Sequence, residues 1–137
     1  ADLGGAQVCY AGVGLNGHLA FNEPPEPGEP VETDAFAALP SRTLSLSRET
    51  ITINSNTALG GAWDQIPERA VTVGMKQILG AERLEIYLNR PWQRAVVRKI
   101  LFGPITAAFP ASLARRHTNA SITLTEEVAA PPNFALR

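Results

Sequence analysis

The chain has 137 residues, 45% of them hydrophobic and 18% charged, with a formal net charge of −1, a length and apolar content suited to one domain with a buried core. Its apolar stretches run only a few residues, which excludes a bilayer-spanning helix, and its near-neutral charge argues against nucleic acid or an anionic membrane as the main partner. One cysteine, Cys9, leaves no internal disulfide framework and fits a reducing, cytoplasmic setting, and no basic stretch followed by an apolar run reads as a signal peptide.

Residues 6–12 open the chain as a strand, apolar on both faces through Val8-Cys9-Tyr10-Ala11. Such a strand expects neighbours on both sides, which predicts that residues 1–137 form a single α/β domain that is part of a larger one. The strand runs into the turn Gly12-Val13-Gly14-Leu15-Asn16-Gly17, then His18 to Glu23, halted by Pro24-Pro25. The five prolines within residues 24–40, set among acidic residues, read as an exposed loop that is not helix. Arg42 to Ser47 alternates as a short strand, and the polar stretch Asn54-Ser55-Asn56-Thr57 leads to Gly60-Gly61. Ala70 to Val73 is strand-like, and Met75 to Leu79 is a short helix closed by Gly80. Arg83 to Leu88 alternates as a strand. Pro91 suits a first helical turn, with Trp92, Ala95, Val96, Ile100 and Leu101 at helical spacing up to Gly103. Pro110 to His117 is a further short helix, Ser121 to Thr125 a last strand, and Ala129 to Arg137 an irregular tail. The order implies an α/β fold with a largely parallel sheet.

Gly12-x-Gly14-x-x-Gly17 matches the dinucleotide fingerprint, with Glu32 about twenty residues on. That fingerprint needs a helix whose N-terminus holds pyrophosphate, and Pro24-Pro25 would end such a helix after one or two turns. A turn that exposes the residues after it fits better. Those residues place a histidine and a carboxylate, His18 and Glu23, just past the C-terminal end of a strand, where open α/β sheets hold ligands. Histidine suits proton transfer near neutral pH, and Glu23 and Asn16 could orient its ring. The alternative is a turn-capping histidine and a solvated glutamate. Arg90, Arg94 and Arg98 read first as a solvated stripe on one helix face. His117 reads as a helix-end residue, Cys9 as an inert core thiol, and Trp63 and Trp92 as packing residues. Two distant histidines and one cysteine form no metal-ligand cluster.

Gly12-x-Gly14-x-Asn16-Gly17-His18-x-Ala20-Phe21-Asn22-Glu23-Pro24 resembles the active-site segment of the glucosamine-6-phosphate deaminase/isomerase family. The likeness continues through Ser41-Arg42-Thr43, Asn54-Ser55, Ile66-Pro67-x-x-Ala70-Val71-Thr72-Val73-Gly74 and the strand and helix from Ile86 to Gly103. It covers most of this chain and only the C-terminal half of the family's length. The resemblance implies a Rossmann-like, three-layer, open and largely parallel sheet, present here in part. It implies that His18 moves a proton at the ring oxygen of an amino sugar phosphate, with Glu23 and Asn16 as partners. Gly14 and Gly17 would stand on the substrate side. The reaction implied moves a proton from C2 to C1 and releases ammonia, needing no cofactor or metal. The family's enolisation base, an aspartate, and its main phosphate loop precede this segment. A phosphate-binding arginine aligns near Asn56, and a phosphate-binding lysine near Gln93-Arg94, which makes Arg94 a candidate phosphate contact. The expectation is a sugar-phosphate isomerase/deaminase-like protein and a homo-oligomer, since a half-sheet with an exposed first strand seeks a partner. The other readings are a non-catalytic sugar-phosphate-binding or assembly module and, on the glycines alone, a nucleotide-binding domain.

Overall fold

A computed structural model describes residues 4–132. Three strands, β1 (Val8–Ala11), β4 (Arg83–Leu88) and β5 (Ala120–Leu124), form one parallel sheet in the order β1-β4-β5. β4 is central, with Cys9 opposite Leu84 on one side and Ile122 opposite Ile86 on the other. Its side chains alternate strictly, so Leu84, Ile86 and Leu88 are buried while Arg83, Glu85 and Tyr87 face the other way. The apolar face is covered by Ile78 of α3 (Met75–Leu79), by Val96, Val97 and Ile100 of α4 (Arg94–Phe102), by Leu113 of the 3-10 helix Pro110–Arg116, and by Val128 of α5 (Glu126–Ala129). The opposite face is bare: Tyr10 is 68% and Tyr87 47% exposed, their rings 6.2 Å apart.

The sheet is α/β and parallel, as the element order implies. The strand-like run at 70–73 is not part of it. β2 (Arg42–Ser45) and β3 (Arg69–Thr72) pair antiparallel as a separate ribbon, Arg42 opposite Thr72. Between them lies α2 (Arg48–Leu59), which the sequence reading left without structure. Its interior of Thr, Ile, Asn and Ser has weak helix propensity, so its ends define it. Ser47 caps the N-terminus by accepting from the Thr50 amide, and Gly60 ends it in the left-handed conformation. The proline-rich loop also contains a helix, α1 (Thr33–Ala37), placed after the last closely spaced proline and anchored by buried Phe36. α5 starts from the Thr125 cap in a stretch read as strand end and tail, and residues 133–137 of that tail lie outside the described residues. Among the described residues no helix is long and apolar enough to cross a membrane.

The ribbon is tied to the sheet through one buried amide. Asn22 donates to Leu19 O at 2.9 Å and to Val73 O at 2.8 Å, and accepts from the Arg42 guanidinium at 2.7 Å. A fully buried Asn with its bonds made is a rigid link, and it fixes residues 18–23 against β3. Phe21 N adds a bond to Thr72 Oγ1 at 2.9 Å.

Candidate active site

The Gly-rich segment after β1 does not lead into a helix. Gly17 N bonds to Gly14 O, Gly14 N bonds to His18 O, and Val13 pairs with Leu19, so the chain folds back on itself. A dinucleotide fingerprint has no helix N-terminus here to hold a phosphate, because the next helix begins at Thr33. Gly17 has φ +88° and lies under the Phe109 ring, so glycine is required there on both counts. Ala20 takes a left-handed conformation, φ 51°, costing about 1 kcal/mol. It completes the turn that brings Asn22 N to Leu19 O and puts Glu23 back beside His18.

His18 is buried at the base of a cavity of about 490 Å³ at the C-terminal ends of β1 and β4. Its Nδ1 lies 2.8 Å from Asn16 Oδ1, 3.1 Å from Thr50 Oγ1 and 3.3 Å from Glu23 Oε2. Asn16 Nδ2 donates to Glu23 Oε2 at 2.8 Å and to Ser47 Oγ at 3.1 Å, and Ser47 N donates to Glu23 Oε1 at 3.2 Å. The three residues singled out in the sequence are thus in mutual contact, and the N-terminal turn of α2 joins them. Burial alone would raise the Glu23 carboxyl. Hydrogen bonds from His18, Asn16 and Thr50, with the His18 charge, outweigh it and lower the group from 4.5 to about 2.

A carboxyl held below its unfolded value stabilises the fold fully above pH 4.5 and loses that contribution as pH falls from 4.5 toward 2. Glu23→Gln is therefore expected to flatten the acid limb of stability in that window, measured as the urea midpoint against pH. An acid limb as steep in the variant as in the wild type would show that Glu23 carries no charge-dependent stability.

Gly14 lines the cavity, whereas Gly17 does not. Arg94 does not line it either. Its Nε donates to Glu127 O at 2.9 Å and its terminal nitrogen sits 3.7 Å from the Glu127 carboxylate, so it braces α5 from outside the cavity. Arg98 likewise donates to Ala129 O, and Arg90 precedes the helix, so the three arginines are not one solvated stripe. Gln93 does reach the cavity, but its amide is spent on Val13 O and on the Asn89 and Arg90 amides. Arg90 is the arginine that lines the cavity, and among the described residues no carboxylate lines it. The sequence reading missed Arg90, Ser47 and Thr50. The Ser47-x-x-Thr50 cap was a findable signal, whereas the position of Arg90 depends on how the chain leaves β4. Asp34 is 88% exposed at its side chain and paired with Arg116 on the surface, away from His18. Asn56 is exposed on α2.

The remaining candidates are structural. His117 bonds to Ala81 O and to the Asn119 amide. Cys9 is half-buried, and burial pushes its thiol up. Trp92 packs on the core and also lines the cavity, while Trp63 is 69% exposed and so is not a packing residue. Among the described residues no group of three or more His, Cys, Asp or Glu could hold a metal ion.

No family model matches the chain. Two curated relatives are similar to it: the glucosamine-6-phosphate deaminase of Bacillus velezensis, 34% identical over 127 residues, covering 93% of this chain and 48% of its own, and that of Lachnoclostridium phytofermentans, 31% identical over 121 residues, covering 88% and 47%. A solved monomeric glucosamine-6-phosphate deaminase superposes with a TM-score of 0.80 at 28% identity, over 93% of this chain and 48% of that one. The 6-phosphogluconolactonase of Trypanosoma brucei shares the fold, with a TM-score of 0.59 at 23% identity. The chain spans about half the length of the curated relatives it matches, consistent with the C-terminal half.

Proposed function

We propose, from the premise that this chain is similar in sequence and in fold to one half of a glucosamine-6-phosphate deaminase, that it carries the ring-opening part of a site for a 2-amino-2-deoxyhexose 6-phosphate. The observation that supports this reading is the buried His18, with Nδ1 tied to Asn16, Thr50 and Glu23 and the rest of the ring at the cavity. In this reading Nε2 exchanges a proton with the ring oxygen of the sugar, and Glu23 stabilises the imidazolium that forms. Asn16 holds the ring without adding charge. Among the described residues no carboxylate lines the cavity; in this reading the base that takes the C2 proton comes from another segment, and with water the intact protein converts the amino sugar phosphate to fructose 6-phosphate and ammonia.

Arg90 takes the phosphate in place of Arg94. Titration calorimetry of this chain with glucosamine 6-phosphate, and with glucosamine as the phosphate-free control, tests both points. Arg90→Gln is expected to weaken binding about tenfold, the effect of one exposed charge-assisted bond, and Arg94→Gln to leave it unchanged. Equal affinity for the phosphorylated and free sugars would overturn the reading. Tight binding by an intact protein that releases no ammonia would favour a non-catalytic binding module.

In the same reading the chain is one unit of a larger sugar-phosphate domain. The open face bearing Tyr10 and Tyr87 and the outer edge of β1 are surfaces that a parallel sheet ordinarily has covered. A further α/β segment covers them, with self-association as the alternative, and light scattering of this chain distinguishes a monomer from an oligomer.

A further inference from the structure

The hydrogen bonds around His18 assign the direction of nearly every proton in the cluster. Glu23 Oε2, a carboxylate oxygen accepting from Asn16 Nδ2 at 2.8 Å, offers His18 an acceptor and no hydrogen. Ser47 Oγ accepts from Asn16 Nδ2 and from the Thr50 amide, and its own hydrogen goes to Thr50 Oγ1 at 3.1 Å. Both hydrogens of the Asn16 amide are committed to Glu23 and Ser47, which turns Oδ1 toward His18. Nδ1 faces two pure acceptors, Asn16 Oδ1 at 2.8 Å and Glu23 Oε2 at 3.3 Å, and so carries the hydrogen; Thr50 Oγ1, 3.1 Å away, then accepts from it. Among the described residues Nε2 has no hydrogen-bond partner.

We propose that Thr50 is a positioning residue for His18: its hydroxyl, which accepts from Ser47 Oγ, presents its other lone pair to Nδ1 and, with Asn16 Oδ1, holds the neutral ring as the Nδ1–H tautomer and leaves the Nε2 lone pair at the cavity. Thr50 is fully buried on the first turn of α2, and Ile53, Asn54 and Thr57 of the same helix line the cavity. The helix that forms one wall thereby also fixes which imidazole nitrogen can take a proton from a ligand. The catalytic meaning of this tautomer rests on the proposed function, but the tautomer itself does not.

Nitrogen-15 NMR of the histidine rings in this chain, without ligand and at a pH of about 9, well above the ordinary imidazole range, reads the tautomer directly. Wild-type His18 is expected to be predominantly Nδ1–H. Thr50→Val, which keeps the volume and removes the hydroxyl, is expected to raise the Nε2–H fraction several-fold, and Thr50→Ser to restore the wild-type ratio. An unchanged ratio in Thr50→Val, or a Thr50→Ser protein shifted as far as Thr50→Val, overturns the proposal, the second by assigning the effect to methyl packing. Should Thr50→Val fail to fold, Thr50→Ala against Thr50→Ser makes the same decision. No sugar phosphate enters this measurement, so its failure leaves the proposed function standing, and the absence of sugar-phosphate binding leaves the tautomer result standing.

Discussion

On the proposed ring-opening role, His18→Gln in the protein that carries this segment is expected to slow release of ammonia and ketose phosphate from glucosamine 6-phosphate by about a hundred- to ten-thousand-fold, the range over which one positioned acid/base acts. The imidazole lies at the cavity, and its Nδ1 side is closed by Asn16, Thr50 and Glu23. Proton traffic with a ligand is thus confined to Nε2. Glutamine keeps a polar side chain of similar reach, so the fold and the cavity survive while the proton carrier is lost. Substrate affinity is expected to stay within a few-fold, because Arg90 and the cavity walls are untouched. Turnover unchanged in the variant, measured by enzymatic ammonia detection, would remove His18 from the chemistry.

The second large effect concerns stability, and it separates two glycines that look equivalent in the sequence. A methyl at Gly14 would overlap Cε1, Nε2 and Nδ1 of the His18 ring, while a methyl at Gly12 would meet nothing within 4 Å. Neither position has a positive φ, so the difference is one of space. Gly14→Ala must push the ring out of its pocket, breaking the Nδ1 bonds and leaving the half-buried Glu23 carboxylate without its histidine partner. Overpacking of this kind costs about 1–3 kcal/mol. Gly12→Ala is expected to stay within about 0.5 kcal/mol of the wild type. Urea unfolding of both variants checks this, and equal midpoints would mean that the ring is not packed against Gly14.

That pair of glycines also shows how far the sequence could be read. The string Gly-x-Gly-x-x-Gly is shared by phosphate-binding turns and by this one, and only Pro24-Pro25 argued against a helix after it. The fold confirms the reason in another way: Leu19 bridges both Val13 and Asn22, so the backbone turns back before any helix starts. The grouping of His18 with Asn16 and Glu23 was legible because all three lie within eight consecutive residues. Their connection to Ser47 and Thr50 was not, since it spans about thirty residues and depends on where α2 begins. The α2 helix escaped periodicity because its interior is polar and β-branched. Arg94 went the other way. Its spacing from Arg90 and Arg98 suggested a shared helix face, but the helix begins at Arg94, and its first turn points that guanidinium at Glu127.

The sequence by itself determined the α/β class, the buried alternation of β4, the short helix at Met75–Leu79 and the local cluster at the end of β1. Each of these is written in contacts within a few residues, in periodicity or in turn chemistry. The tertiary structure alone decided that residues 42–45 and 69–72 form a separate antiparallel ribbon, that the ribbon is pinned through Asn22, and that Arg90 reaches the cavity. Those features depend on where distant segments cross, and on which buried polar atoms find one another. A sequence pattern records which side chains want burial; only the packed chain settles which partner each buried polar group meets.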